Sequence, residues 1–436
     1  MRKNHIYVDK NLQMDYFSLV EVGLTERTPD MLSQFTVKNF KSIRDEMTFD
    51  FQAAAISEHI DSLIIGKDGE NYLPISAIYG PNGAGKSTVL EAINSLISLV
   101  VRPILAINPS NNAFLYNNAI TPFKFSDETE SSPTEYKMFF STETAEYCYV
   151  LKIKDGLIIF ESLDRIKFTT KRKSALYLRD EQTITLKGDV AGLKLNEAIS
   201  QSLPLITYFG ITYKNHPIIS DVMDWFMNRI VYLSFGLVNQ TARLYIHNNE
   251  KLKGLILSIL KEMDIDVTDY RIKKEDENSF QIYTQHIVDG KAYELYLSDE
   301  STGTRKVFEL LPIIASGLLN GQTIIIDELD SRLHPLLLKY IIGLFTDKNI
   351  NKKGAQLIFT SHDMSTLNNE VFRRDEVWFV AKGNEQNTKL YSLVEFKSDK
   401  GESVRKDAKY DKQYLEGKYG ADPYLKTIID WSEPNA

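Results

Sequence analysis

The chain has a single cysteine, Cys148, among its 436 residues. A lone thiol excludes an internal disulfide and, with it, the stapled scaffolds of small secreted proteins. Within the run EYCYVLKI, Cys148 reads as a small buried hydrophobe, and the composition fits a reducing, cytoplasmic compartment. No apolar run approaches the ~18 residues that cross a bilayer, and the longer ones carry polar breaks, so no membrane is expected as a partner. The opening MRKNHIYVDKNLQMDYF has charges but no apolar segment, so no secretory signal is expected. A basic excess is also missing, since the formal net charge is −8. Proteins that coat DNA non-specifically must neutralise phosphates and are usually basic. Two local basic runs, DRIKFTTKRKS (164–174) and YRIKK (270–274), leave nucleic acid open as a partner, though each also reads as a solvated face. There is no internal repeat, no low-complexity tract and no sustained heptad pattern, which excludes a long coiled-coil arm.

What remains is ordinary globular composition, 43% hydrophobic and 25% charged. Residues 1–30 read as a polar N-terminal extension. FTVKNFKSI reads as a strand entering a turn, with MTFDFQA (47–53) as its hairpin partner. LPISAIYG is a buried strand, and NPSNNAFLYNNAITP is a loop. From 122 to 168 the runs FKFSD, EYKMFFST, EYCYVLKIK and GLIIFESL predict an antiparallel meander. An inserted, mainly helical region follows over 169–265, including DVMDWFMNRIVYL and EKLKGLILSILKEM. SFQIYTQHIV and AYELYLSDE are strands again. QTIIIDE and AQLIFTSHD are buried strands flanking the helix PLLLKYIIGLF, and EVWFVAK and TKLYSLVEF close the sheet.

Four motifs carry chemistry. Gly80-Pro81-Asn82-Gly83-Ala84-Gly85-Lys86-Ser87, followed by Thr88, fits G-x-x-x-x-G-K-[ST] between a strand and the helical pattern Val89, Leu90, Ile93, Leu96, Ile97. Such a loop turns its backbone N–H groups toward phosphate oxygens, and the helix N-terminus adds its dipole. Lys86 is expected on the β- and γ-phosphates of ATP, and the Ser87 hydroxyl on Mg²⁺. TIIIDELDSRLHP (323–335) puts two carboxylates at a strand end: Asp327 for the metal and Glu328 as general base. LIFTSHD (357–363) ends a buried strand at His362, where an imidazole can hold the γ-phosphate or the attacking water. Ser301-Thr302-Gly303 precedes a helix with the apolar face Val307, Leu310, Leu311, Ile314, Leu318. A serine hydroxyl and free N–H groups at such a helix start make a further anion site.

In this order the motifs resemble those of ABC-class ATPases, with Ser301 and Gly303 as signature and Asp330 in the D-loop. FTVKNFKSI resembles the opening of the structural-maintenance-of-chromosomes (SMC), double-strand-break-repair and overcoming-lysogenization-defect ATPases, which makes Asn39, Lys41 and Ser42 secondary nucleotide candidates. TPFKF (121–125), ESTGTRK (300–306), DELDSRLHP and RKDAKYDKQYLEGKYGADPYL (405–425) resemble a narrower set, bacterial abortive-infection-type ATPases encoded with a separate effector. No glutamine can be placed as the Q-loop, and the stretch after His362 is short for a fused nuclease domain.

The resemblance implies an α/β fold: an ABC-type P-loop ATPase head with an antiparallel β subdomain and the inserted helical region. The expected division is 1–30, then an N-terminal ATPase lobe over 31–168, the insertion over 169–265 and a C-terminal lobe over 266–436. It further implies an ATP- and Mg²⁺-dependent ATPase that works as a homodimer, two heads sandwiching ATP, with higher oligomers left open. An ATP-hydrolysing switch in antiphage defence, controlling a separate effector such as a nuclease, is the expected role. A DNA-repair ATPase that clamps DNA is the alternative, and a transporter ATPase subunit the third.

Overall fold

The computed structural model describes residues 29–106, 120–196, 199–233, 249–274, 280–397, 401 and 403–420. The expected extension up to residue 28, most of the Asn-rich loop and the end of the RKDAKYD motif beyond 420 lie outside the described residues.

The core is a six-stranded sheet in the order Ile230–Leu233, Thr323–Ile326, Gln356–Thr360, Ile75–Tyr79, Val377–Lys382, Thr388–Ser392. The first five strands are parallel and the last is antiparallel. Ile75–Tyr79, Thr323–Ile326 and Gln356–Thr360 are buried at every position. Continuous apolar strands of this kind arise where both faces of a parallel sheet are covered. Alternate residues divide between two cores. Ile78, Ile325 and Ile358 pack with the P-loop helix Lys86–Leu105. Ala77, Tyr79, Ile324, Ile326 and Phe359 pack with the helices Thr302–Asn320 and Pro335–Thr346.

Lys86–Leu105 is, among the described residues, the one helix long and apolar enough to cross a membrane. Its Ser87, Thr88, Asn94, Ser95 and Ser98 interrupt the apolar run. Here its apolar face, Val89 to Val101, is buried in the core.

On the other side of this helix lies a seven-stranded sheet, in the order Thr183–Leu186, Lys173–Asp180, Leu157–Lys167, Ala145–Lys154, Thr134–Ser141, Leu32–Lys38, Met47–Asp50. All its pairings are antiparallel. Cys148 lies on one of its strands, and burial pushes its thiol up to about 11, as suits a packing residue. The meander does not stop at 168. Two more strands carry it to Leu186, because Leu176 and Tyr177 complete the buried face.

Helices follow over Leu205–Thr212, Pro217–Asn228 and Glu250–Glu262. The helix read through DVMDWFMNRIVYL ends at Asn228, however, and Ile230–Leu233 becomes an edge strand pairing with Thr323–Ile326. A short apolar run with β-branched residues satisfies a helix pattern and a buried strand equally well. Region 169–265 thus supplies strands to both sheets as well as helices.

Across the core, Gln356 holds the two sheets in register. Its Oε1 accepts from Leu32 N at 3.0 Å and from Thr323 Oγ1 at 3.1 Å, and its Nε2 donates to the carbonyls of Leu32 and Leu73. A third sheet, Asp269–Lys274, Phe280–Val288 and Lys291–Tyr296, leads into the turn before Ser301. Its Tyr270 packs edge-on against Phe308 of the helix that follows.

Candidate functional site

The P-loop runs from the end of strand Ile75–Tyr79 to the start of helix Lys86–Leu105. Gly85 has φ 109°, and a Cβ there would lie 2.3 Å from Thr388 Oγ1, so only glycine fits. Asn82 and Gly83 are exposed, Ser87 and Thr88 half-buried, and Lys86 buried. Lys86 Nζ turns back into the loop and donates to Gly80 O at 2.8 Å and Pro81 O at 3.3 Å. Burial lowers its pKa, while the nearby carboxylates of Asp327, Glu328 and Asp330 raise it. A lysine surrounded this way fits an incoming phosphate: its charge is already desolvated and its carbonyl partners are replaceable.

The resemblance-based residues of the turn divide. Ser42 belongs to the loop: Thr388 Oγ1 lies 2.8 Å from Ser42 Oγ and donates to Ala84 O at 2.8 Å. Lys41 reaches the P-loop helix through a 2.7 Å ion pair with Glu91. Asn39 is fully buried at φ 55°. Its Nδ2 lies 2.7, 2.9 and 3.2 Å from the carbonyls of Thr129, Ser132 and Pro133, and its Oδ1 accepts from Phe123 N at 2.9 Å. Those bonds commit the Asn39 side chain to holding the 121–133 segment in place.

Strand Thr323–Ile326 delivers Asp327 and Glu328, both half-buried. Thr360, at the end of the neighbouring strand, serves both: its Oγ1 donates to Asp327 Oδ1 at 2.6 Å and accepts from Glu328 N at 2.7 Å. Glu328 has φ 51°, a left-handed conformation that costs a non-glycine residue roughly 1 kcal/mol or more. Asp330 Oδ2 accepts from His362 N at 3.0 Å, tying the turn after Glu328 to the end of the neighbouring strand, while its Oδ1 is buried with no hydrogen-bond partner among the described residues. The His362 residue itself is exposed.

Among the described residues no group of three or more His, Cys, Asp or Glu side chains could hold a metal ion by itself. Mg²⁺ usually takes only one or two carboxylates, completing its shell with phosphate oxygens and water. Ser87 and Asp327 fit that pattern.

Ser301 caps the helix Thr302–Asn320, accepting from Thr304 N at 3.1 Å. It is exposed. A Cβ on Gly303 would meet nothing nearer than Ser301 Oγ at 3.8 Å and Arg332 O at 4.0 Å. This chain therefore has room for a side chain at Gly303, and the bare glycine leaves the helix start open to an outside group. Lys306, one turn on, is buried. Burial lowers its pKa, the carboxylates of Glu309, Glu328 and Asp330 raise it, and the charge of Arg332 lowers it further. The helix Thr302–Asn320 thus begins beside the 328–332 segment of its own chain.

Sequence reasoning missed Thr360, Thr388 and Lys306. For Thr360 a signal existed: a hydroxyl at a strand end, two residues before His362. Part of the basic runs is engaged in ion pairs: Arg165 and Lys167 with Asp189, Lys173 with Asp164 and Arg271 with Glu294.

Residues 75–205 and 221–368 match the family described as "AAA domain, putative AbiEii toxin, Type IV TA system". The chain belongs to this family. The matched segments run from the P-loop strand past His362, and leave out the Asn39–Ser42 turn and residues 405–420. Solved structures similar to the chain include an SMC head bound to the C-terminal winged-helix domain of ScpA, at 12% identity and TM-score 0.45, covering 83% of this chain and 97% of that one. The SMC head domain from Thermotoga maritima matches at 15% identity and TM-score 0.39, over 83% and 98% of the two chains. An SMC head from Pyrococcus furiosus, bound to the C-terminal domain of ScpA, matches at 14% identity and TM-score 0.38, over 83% and 96%. No curated protein matches the chain.

Proposed function

We propose that this family member is a cytoplasmic, dimeric ATPase that acts as a switch in bacterial antiphage defence and controls a separate effector protein. The observation that carries the ATPase reading is the buried Lys86 ammonium, folded back onto the carbonyls of Gly80 and Pro81 and close enough to feel the charges of Asp327, Glu328 and Asp330. A phosphate site with its own carboxylate base is arranged for hydrolysis as well as for binding. Lys86 exchanges the carbonyls of Gly80 and Pro81 for the β- and γ-phosphates. Ser87 and Asp327 would hold Mg²⁺, which when bound offsets phosphate charge. Glu328, whose backbone amide is held by Thr360, takes the proton of the attacking water. His362 holds the γ-phosphate side of that water.

The exposed signature points to a shared site. Ser301 and the open helix start at Gly303 suit the γ-phosphate of ATP held by a second copy. Mixing two inactive variants tests this. A Lys86→Ala homodimer has no working P-loop and a Ser301→Arg homodimer no working signature. One composite site of the mixed dimer is intact. Phosphate release should therefore recover in part with mixing, with subunit exchange followed by native mass spectrometry. A Ser301→Arg variant as active as wild type rejects the shared site. The defence role is supported by family membership, and is tested by purifying the chain with its operon neighbours and weighing the complex with and without ATP.

A further inference from the structure

Glu300 stands between the third sheet and the signature serine, and its chemistry is wrong for the place. A helix N-terminus that receives an anion is disturbed by a free carboxylate one residue away, because the two anions compete for the same dipole and N–H groups. In the structure this carboxylate is withdrawn. Glu300 Oε1 accepts from Thr284 Oγ1 at 2.5 Å and from His286 Nε2 at 2.7 Å. Its side chain is 9% exposed and that of His286 is 19% exposed, whereas Ser301 faces solvent. Thr284 and His286 lie two positions apart on strand Phe280–Val288, so they share the face from which Glu300 is held. Tyr270, on the neighbouring strand, is buried opposite Thr284 and packs on Phe308, which anchors the same face to the signature helix.

We propose that Thr284 and His286 are positioning residues that sequester the Glu300 carboxylate and so keep the signature N-terminus free for the γ-phosphate of a partner's ATP. This rests on the shared-site reading above. Loss of His286 frees a negative charge at the closing interface. Loss of the charge itself removes the need for the clamp.

The test is a double-variant cycle in the full chain: His286→Ala, Glu300→Gln, and the two combined. His286→Ala should lower kcat about tenfold, with ATP binding to the P-loop unchanged by calorimetry. In a Glu328→Gln background it should weaken ATP-dependent dimerisation, followed by light scattering, to a similar extent. Adding Glu300→Gln should restore both readouts to the level of Glu300→Gln alone. A mere packing role for His286 predicts no such rescue, since the double variant lacks the same imidazole. If His286→Ala does not fold, Thr284→Val, with the same rescue, takes its place. Wild-type kcat in both clamp variants, or a folded double variant as slow as His286→Ala, overturns the proposal. A Ser301→Arg chain that hydrolyses ATP as fast as wild type refutes the shared site instead, independently of the clamp.

Discussion

Replacing Thr360 by valine keeps the shape of the side chain and removes one hydroxyl. That hydroxyl is fully buried and makes two bonds, to the Asp327 carboxylate at 2.6 Å and from the Glu328 amide at 2.7 Å. A bond to a charged group contributes roughly 1.5–3 kcal/mol, and a buried amide left unpaired costs about 1–3 kcal/mol. Asp327 and Glu328 are half-buried, so water recovers part of each, and the two losses share one atom. The expected loss of stability is therefore about 2–4 kcal/mol in urea unfolding. Catalysis should suffer separately. Thr360 helps hold Glu328 at φ 51°, and a base displaced by about 1 Å costs on the order of 10²-fold in rate. We expect kcat to fall about 30–100-fold while ATP affinity measured without Mg²⁺ stays within about threefold, because Lys86 and the P-loop are untouched. Thr360→Ser, which restores the hydroxyl, should recover most of the rate. The assay is phosphate release at a temperature where both variants are folded, with ATP binding by calorimetry. A Thr360→Val protein that hydrolyses ATP at the wild-type rate would refute the assignment of Glu328 as a base held by this threonine.

Lys86→Ala removes the ammonium that binds Gly80 and Pro81, and should weaken ATP binding by about 10–100-fold in calorimetry. Asn39→Ala should cost about 2–4 kcal/mol in urea unfolding, since it orphans the Phe123 amide and three carbonyls; a loss of ATP affinity with no loss of stability would make Asn39 a nucleotide contact after all. Burial raises the Glu376 carboxyl to about 8, so the folded state binds a proton there that the unfolded state releases above its ordinary range. Its contribution to stability is full below about pH 4.5 and is lost as pH rises through about 8. Melting temperature should fall over that window in wild type more steeply than in Glu376→Gln, and parallel curves would refute the shift.

Much of the site was legible because its parts are local. The P-loop glycines, the Asp327-Glu328 pair and the cap at Ser301 each need only a strand end or helix start within a few residues, and the buried positions Val89, Leu90, Ile93, Leu96 and Ile97 follow the expected face. The residues that escaped notice act across long stretches of chain. Thr388 reaches Ser42 and Ala84 from the last core strand; and the partners of two residues already in view, Asn39 with Phe123 and Pro133 and Glu300 with His286, are likewise set by the fold. Nothing in their neighbouring residues encodes those meetings. The fold was misread where periodicity is ambiguous. The run Ile230–Leu233 continues an amphipathic helix pattern until the backbone turns into a parallel edge strand, and Lys173–Leu186 is polar enough to hide its two buried apolar residues, Leu176 and Tyr177.

The edge strand Ile230–Leu233 has a mechanical consequence. It receives the chain directly from helix Pro217–Asn228, and its neighbours are the residues of the metal carboxylate: Asp327 N donates to Leu233 O at 3.2 Å, and Thr323 N to Arg229 O at 2.8 Å. An extended strand has little slack, since each residue already spans about 3.3 Å. The Pro217–Asn228 helix is thus joined, through one residue, to a strand laid alongside Asp327. The region between the meander and the signature is thus no exchangeable cassette. Grafting in another protein's version replaces a stave of the nucleotide-binding sheet itself.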